Sequence, residues 1–172
     1  METSILKVRK SKLQGEVRLQ GAKNSALRLL AASLLTSERI VLTNYPRDLF
    51  DAQVHVGMLE ALGKTCTADD DTLGIVQAAP PPTRLVWEGR SIRNTLLILG
   101  SLFARLGYGA VPHPGGCDLG DRKFDIHVQV IEAFGGRVFE MDGDLCAERS
   151  GPLKACTNEL PIRSTGATQN AL

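Results

Sequence analysis

The sequence predicts an α/β or α+β fold in which helices pack against sheets, and two observations carry that prediction. The chain of 172 residues is 43% hydrophobic and 23% charged, the balance of an ordinary domain with a buried core. One order of elements, helix–strand–helix–strand–strand, occurs twice at a spacing of about 70 residues, which is longer than a solenoid repeat. Such units favour helices layered on mixed sheets.

The first repeat follows two short strands that the pattern predicts at residues 6–8 and 16–19. In the helix that comes next, apolar residues recur every three or four positions around most of its circumference, so we expect it to be largely buried. The predicted elements are, in order, a helix over 21–38, a strand over 39–44, a helix over 50–63 and a hairpin with an acidic turn over 64–78.

The second repeat has the same order of elements. They are a helix over 90–107, a strand over 108–113, a helix over 124–135 and a hairpin with an acidic turn over 136–151. Asn24 and Asn94 stand near the start of the apolar helix in each repeat. Residues 160–172 then resemble the first turns of a third buried helix. We therefore expect the chain to be part of a longer protein; a frayed C-terminal tail is the alternative.

Composition and charge exclude several classes of protein. A net charge of +1 with no block of like charge argues against binding nucleic acid. No apolar run is long enough to span a bilayer, and the first residues have no signal-peptide pattern. The four cysteines form no CxxC pair, so we predict neither a metal site nor a disulfide framework. These features favour the reducing cytoplasm.

Three helix starts carry residues suited to binding an anion. Lys23 and Asn24 open the first helix, and Arg90 and Arg93 stand three apart near the start of the equivalent helix in the second repeat. Residues 164–168 add hydroxyl groups at the predicted third helix start. The alternatives are solvated cations and ordinary N-caps.

Cys117 lies in a loop between glycines and charged residues rather than in an apolar run. Arg122 and Lys123 favour its thiolate, whereas nearby aspartates oppose it. A protonated thiol would serve as a general acid and a thiolate as a nucleophile, and a bystander cysteine is the alternative. We expect His55 and His127, on amphipathic helices, to be structural.

Four segments follow one another along the chain. They are LQGEVRLQGAKNSALRLLAASLL, GRSIRNTLLILGSLFARLGYG, PGGCDLGDRKFDIH and STGAT. In this order and at these spacings, they resemble the enolpyruvyl transferases over essentially the whole chain. The branch that acts on UDP-N-acetylglucosamine is nearer than the branch that acts on shikimate 3-phosphate.

This resemblance implies an EPSP synthase-like fold with two similar domains, each an inside-out α/β barrel built from repeated βαβαββ units. By that comparison, residues 1–20 are a strand segment that belongs to the other, C-terminal domain. The rest is an incomplete domain, made of two units, 21–89 and 90–160, and the start of a third, 161–172. We therefore expect a missing C-terminal part to complete the protein and the 172-residue chain alone to be inactive.

The resemblance also implies a reaction. The enolpyruvyl group of phosphoenolpyruvate passes to a hydroxyl of a uridine nucleotide, phosphate is released, and no cofactor or metal takes part. Lys23 would meet phosphoenolpyruvate, Arg93 and Arg122 the anionic centre, and Cys117 would act as acid or covalent nucleophile and as the fosfomycin target. The implied acceptor-binding residues are Asn24, Lys123, Phe124, Asp125, Ile126, Ser164, Thr165 and Gly166.

The chain departs from the family pattern on the acceptor side. Lys123 and Phe124 replace Pro-Val in the uridine segment, and Ile162 replaces a lysine before the diphosphate segment. UDP-N-acetylglucosamine is the acceptor that the resemblance favours. The alternatives are UMP, as in nucleoside-antibiotic pathways, a nucleotide-binding fragment without catalysis, and a purely structural domain.

Overall fold

The computed structural model describes residues 5–115 and 124–172. Its helices are α1 (Lys23–Ala32), α2 (Phe50–Ala61), α3 (Thr95–Leu106), α4 (Asp125–Ala133) and α5 (Thr165–Ala171). Its strands are β1 (Ile40–Leu42), β2 (Lys64–Asp69), β3 (Thr72–Gln77), β4 (Tyr108–Pro112), β5 (Arg137–Met141) and β6 (Asp144–Glu148). The predicted order of helix–strand–helix–strand–strand therefore occurs twice. The predicted site residues Cys117, Arg122 and Lys123 lie outside the described residues.

Each repeat forms its own sheet, and the two sheets have the same topology. The strand orders are β1–β3–β2 and β4–β6–β5, with antiparallel pairing throughout. The sequence predicted sheets with both parallel and antiparallel strands. Among the described residues, the only parallel pairing is one bridge between Arg84 and Ala110. There the Leu85 amide donates to the Ala110 carbonyl at 2.9 Å. The segment between the repeats thus begins to add a parallel strand to the second sheet.

The turns are made by residues that the sequence indicated. Asp142 (φ 51°) and Gly143 (φ 81°) form the β5–β6 turn, and Asp70 (φ 47°) forms the equivalent β2–β3 turn. Gly63 (φ 83°) and Gly135 (φ 89°) follow α2 and α4 in the left-handed region, where glycine is favoured. The second helix of each repeat therefore stops where predicted.

Residues 5–20 do not form the two strands that the sequence predicted at 6–8 and 16–19. Their apolar side chains are exposed, with Leu6 at 88%, Val8 at 81% and Val17 at 84%. Apolar alternation produces a strand only where a neighbouring strand satisfies its backbone groups, and no described strand pairs with this segment.

One helix start differs from the prediction. The third helix begins at Thr95 with Asn94 as N-cap, so Arg90 and Arg93 precede it instead of sharing one of its faces. The first helix begins at Lys23, as predicted, and the Asn24 side chain does not cap it. These polar side chains stand just before a helix or in its first turn, where they line a common cavity.

The core includes the residues through which α1, the turn after it and α3 pack together. Leu30, Leu34, Ile98, Leu99 and Leu102 are all at most 1% exposed. Burying each such side chain contributes about 1.5–3 kcal/mol. The predicted burial of the first helix holds for one face only, because Leu29 remains 50% exposed.

A half-buried asparagine joins the second repeat to the first. The Asn94 amide donates to the Leu27 carbonyl of α1 at 2.8 Å and lies 3.1 Å from Nδ1 of His55 on α2. His55 is fully buried, and its Nε2 has no hydrogen-bond partner among the described residues. The Asn94 amide is therefore the polar partner of the imidazole that the structure records.

The same contact recurs one repeat later. The Asn170 amide donates to the Leu96 carbonyl of α3 at 3.1 Å and lies 3.0 Å from Nδ1 of His127 on α4. We call these two arrangements the Asn94 and Asn170 latches. Each ties the first helix of one repeat to both helices of the preceding repeat, which confirms the structural role expected for both histidines.

We expect Asn94→Ala to lower the free energy of unfolding by about 2 kcal/mol, because truncation leaves the buried His55 imidazole without its donor. Chemical denaturation of the complete protein measures the loss. Gln53→Ala is the matched control on α2, since this exposed side chain donates only to the Arg47 carbonyl. A loss no larger than that of the control would contradict the latch.

Candidate active site

A cavity of about 620 Å³ opens where α1 and α3 begin. Of the predicted site residues, Lys23, Asn24, Arg93 and Gly166 line it together. The other lining residues are Leu27, Arg28, Asp51, Arg90, Ser91, Ile92, Asn94, Leu97, Pro114, Gly115, His127 and Gln169. The structure thus brings the helix starts of two repeats, and the first turn of α5, to one site.

The packing of the first helices explains this convergence. Their N-terminal residues line the cavity, whereas Ala32 and Ala104, near the other ends of α1 and α3, line an apolar groove. The two helices therefore run in the same direction. The buried Ser101 hydroxyl of α3 donates to the Ala31 carbonyl of α1 at 3.0 Å, and Arg28 of α1 donates to the side-chain oxygen of Gln169 on α5.

The cavity is strongly cationic. Among the described residues, four basic side chains, those of Lys23, Arg28, Arg90 and Arg93, line it with one carboxylate, that of Asp51. No acidic residue lies in the first turn of α1 or α3, and no described side chain caps either helix with a hydrogen bond. The positive ends of two helix dipoles therefore add to the basic side chains, and the arrangement suits a ligand with more than one negative charge.

An ion pair holds the Lys23 side chain and still leaves its ammonium group able to bind a ligand. Its Nζ donates to Oδ2 of Asp51, in the first turn of α2, at 2.8 Å. The Lys23 side chain is 50% exposed, so this pair adds little stability. Its effect is to aim the ammonium group into the cavity, where two further N–H donors remain for a ligand.

His127 lines the cavity and also takes part in the Asn170 latch. Burial, and secondarily the charge of Arg93, lowers its pKa to about 4, so the imidazole is neutral at pH 7. Because the Asn170 amide donates to Nδ1, the proton is on Nε2. A Cβ added at Gly166 would lie 3.0 Å from that Nε2, so glycine leaves this edge of the ring open.

The other predicted acceptor residues do not line this cavity. Ser164 and Thr165 border a separate depression with Ile162 and Arg163, and the Ser164 hydroxyl accepts from the Ala167 amide at 3.3 Å as an N-cap. Ser164 is therefore the N-cap of α5.

The uridine segment predicted from the resemblance begins α4. Phe124 packs against the core and meets the His113 ring edge-on, with centroids 6.2 Å apart. Asp125 is exposed and Ile126 is half-buried on the first turn. None of the three reaches the cavity that holds Lys23 and Arg93.

The polar residues of the cavity that the sequence did not reveal include Arg28, Asp51, His127 and Gln169. His127 had a usable signal, because it closes the PGGC…H motif that carried the resemblance. The other three had none, since Arg28 and Asp51 resemble ordinary solvated helix residues and Gln169 gains its partner across the fold.

The described residues include no group of three histidine, cysteine or acidic side chains placed to hold a metal ion. No helix among them combines the length and apolar character needed to cross a bilayer. Of the described thiols, Cys146 is buried and Cys156 is exposed, and burial, followed by the charge of Glu60, raises the pKa of Cys66 to about 11.

Comparison with known proteins gives one consistent family. The chain matches the family described as EPSP synthase (3-phosphoshikimate 1-carboxyvinyltransferase) over residues 8–172. It is 36% identical over 170 residues to the UDP-N-acetylglucosamine 1-carboxyvinyltransferase of Ruegeria pomeroyi, which covers 97% of this chain and 40% of that protein. The chain spans about 40% of the length of the curated relatives it matches.

Solved structures confirm the predicted EPSP synthase-like fold. The enolpyruvyl transferase NikO from Streptomyces tendae is similar with a TM-score of 0.67 and 23% identity, over 82% of this chain and 31% of that one. EPSP synthase from Acinetobacter baumannii is similar with a TM-score of 0.69 and 16% identity, over 92% and 37% of the two chains.

We expect His127 to make stability depend on pH in the complete protein. Its pKa of about 4 in the folded state lies below the ordinary histidine value of 6.5, so protonation favours unfolding. The stabilisation is complete above pH 6.5 and is lost as the pH falls towards 4, by up to about 3 kcal/mol. Denaturation between pH 7 and 4.5 should give a shallower slope for His127→Gln than for wild type. Equal slopes would show that the imidazole is not held neutral.

Proposed function

Because this chain belongs to the EPSP synthase family, we propose that its complete protein transfers the enolpyruvyl group of phosphoenolpyruvate to a uridine nucleotide. The observation that supports this most directly is the cationic cavity shared by Lys23 and Arg93 at the starts of α1 and α3. Phosphoenolpyruvate carries a phosphate and a carboxylate, so it requires several basic groups around a small volume.

The proposed reaction has two steps. The acceptor hydroxyl adds its oxygen to C2 of phosphoenolpyruvate, a proton is added to C3, and the hydroxyl proton leaves, which gives a tetrahedral intermediate. Loss of a C3 proton and of the phosphate then restores the double bond and yields the enolpyruvyl ether and inorganic phosphate. The two steps require cations beside the phosphate and the carboxylate, and an acid near C3.

We propose which residues of the chain supply these cations and this acid. Lys23, aimed by Asp51, meets the phosphate of phosphoenolpyruvate and of the intermediate, and Arg93 and Arg122 meet the anionic centre. Cys117 supplies the acid near C3 or forms a covalent adduct with phosphoenolpyruvate, and the same thiol is the proposed target of fosfomycin. Neither Cys117 nor Arg122 lies within the described residues, so their assignment rests on the motif alone.

The acceptor favoured by the sequence relatives is UDP-N-acetylglucosamine, with Asn24 at the sugar. We propose that the segments at 122–126 and 164–166 hold the uridine and the diphosphate. UMP is the second candidate, because Ile162 replaces a lysine before the diphosphate segment. In the structure Ile162 is 65% exposed in the depression beside Ser164, so that depression presents one basic group fewer to a second phosphate.

The proposed domain organisation places residues 1–20 in a second domain. It is supported by the exposed apolar side chains of residues 5–20, which have no strand partner among the described residues. Residues 21–89 and 90–160 form two units and 161–172 begin a third, whose α5 packs against α3 and α4. Further acidic and basic residues of the site would come from the rest of the protein, which we propose acts in the cytoplasm, in peptidoglycan synthesis if the acceptor is UDP-N-acetylglucosamine.

We expect the complete protein to release phosphate from phosphoenolpyruvate when UDP-N-acetylglucosamine or UMP is supplied, in a coupled phosphate-release assay. The acceptor that supports turnover identifies the substrate. Cys117→Ser should abolish release, and Cys156→Ser, which changes an exposed thiol, should not. No release with either acceptor would reject the proposal and favour a nucleotide-binding protein without catalysis.

A further inference from the structure

Arg90 lies at the rim of the cationic cavity, next to the ring of Phe50. Its guanidinium carbon lies 5.6 Å from the centroid of the Phe50 ring, and its side chain also lines the cavity. We propose that Arg90 binds a phosphate oxygen of the nucleotide acceptor, and that Phe50 is the positioning residue that holds the guanidinium there. This inference rests on the function proposed above and adds a specificity residue to it.

The main chain of Arg90 is anchored to α2. Nε1 of Trp87 donates to the Arg90 carbonyl at 3.1 Å. The indole packs against α2 at Gly57, where an added Cβ would come within 2.7 Å of the ring. Trp87 therefore fixes the backbone, and Phe50, the first residue of the same helix, supports the side chain.

Contact with the Phe50 ring, which we call the aromatic brace, leaves the Arg90 guanidinium charged and its N–H donors available to a ligand. A carboxylate partner would neutralise Arg90 and occupy its N–H groups, whereas a ring face attracts the cation through its quadrupole. In the part of the chain that the structure describes, Arg90 forms no ion pair, and its side chain donates no hydrogen bond. Lys23 differs, because Asp51 already pairs with it.

The charges of the two substrates indicate which anion Arg90 meets. Phosphoenolpyruvate brings two anionic groups, which the proposed mechanism gives to Lys23, Arg93 and Arg122. Arg28 is tied to Gln169 across the site. Arg90 is the remaining basic side chain of the described cavity, and it lies on the exposed rim. A planar guanidinium suits a phosphate because it donates two parallel hydrogen bonds.

The test is equilibrium binding by the complete protein, measured by calorimetry with UMP, UDP-N-acetylglucosamine, uridine and phosphoenolpyruvate as separate titrants. We expect Arg90→Gln to weaken binding of a phosphorylated nucleotide about tenfold, the effect of losing one charge-assisted hydrogen bond. Binding of uridine and of phosphoenolpyruvate should change less than about twofold. Arg90→Lys should restore part of the loss, and Phe50→Tyr should bind nucleotide better than Phe50→Leu.

Arg137→Gln is the matched control, because the Arg137 guanidinium lies 4.7 Å from the Phe139 centroid on β5 and does not line the cavity. It should bind every titrant as wild type does. The proposal is overturned if Arg90→Gln binds UMP and UDP-N-acetylglucosamine normally, if it weakens uridine or phosphoenolpyruvate equally, or if wild type binds neither nucleotide. Phosphate release is measured separately, so a protein that binds nucleotide through Arg90 without turnover would reject only the proposed reaction.

Discussion

The parallel packing of the first helices of the repeats is the constraint on which the rest of the molecule depends. The Asn94 and Asn170 latches hold these helices in register by joining buried imidazoles to main-chain carbonyls. Because the helices share one direction, their starts meet at one end and their apolar ends meet at the other. An anion site therefore follows from the packing before any particular side chain is considered.

Concentrating positive charge in this way opposes folding, and the structure contains two devices that reduce the repulsion. Asp51 offsets Lys23 at 2.8 Å, and burial keeps His127 neutral beside Arg93. Binding of the proposed polyanionic ligand would therefore be linked to the stability of this end of the domain. The Phe50 ring beside Arg90 positions another cation of this cavity without neutralising its charge.

Local sequence patterns were sufficient to predict the order of helices and strands and the turns at Gly63 and Asp142. They left open whether Lys23 is a solvated lysine or lies at an anion site, and the fold places it in a cationic cavity. They failed at residues 5–20, because a strand depends on a partner that the pattern does not contain. They also failed to find the latches, since Asn94 and His55 are separated along the chain and meet only in the fold. Long-range pairs of this kind leave no periodic signal.

The central claim is that the starts of α1 and α3 form the anion site for phosphoenolpyruvate. A crystal structure of the complete protein with phosphoenolpyruvate and its acceptor bound tests it most directly. We expect a phosphate or carboxylate oxygen within about 3 Å of both Nζ of Lys23 and the Arg93 guanidinium. Phosphoenolpyruvate bound elsewhere, with Lys23 still paired only to Asp51, would contradict it.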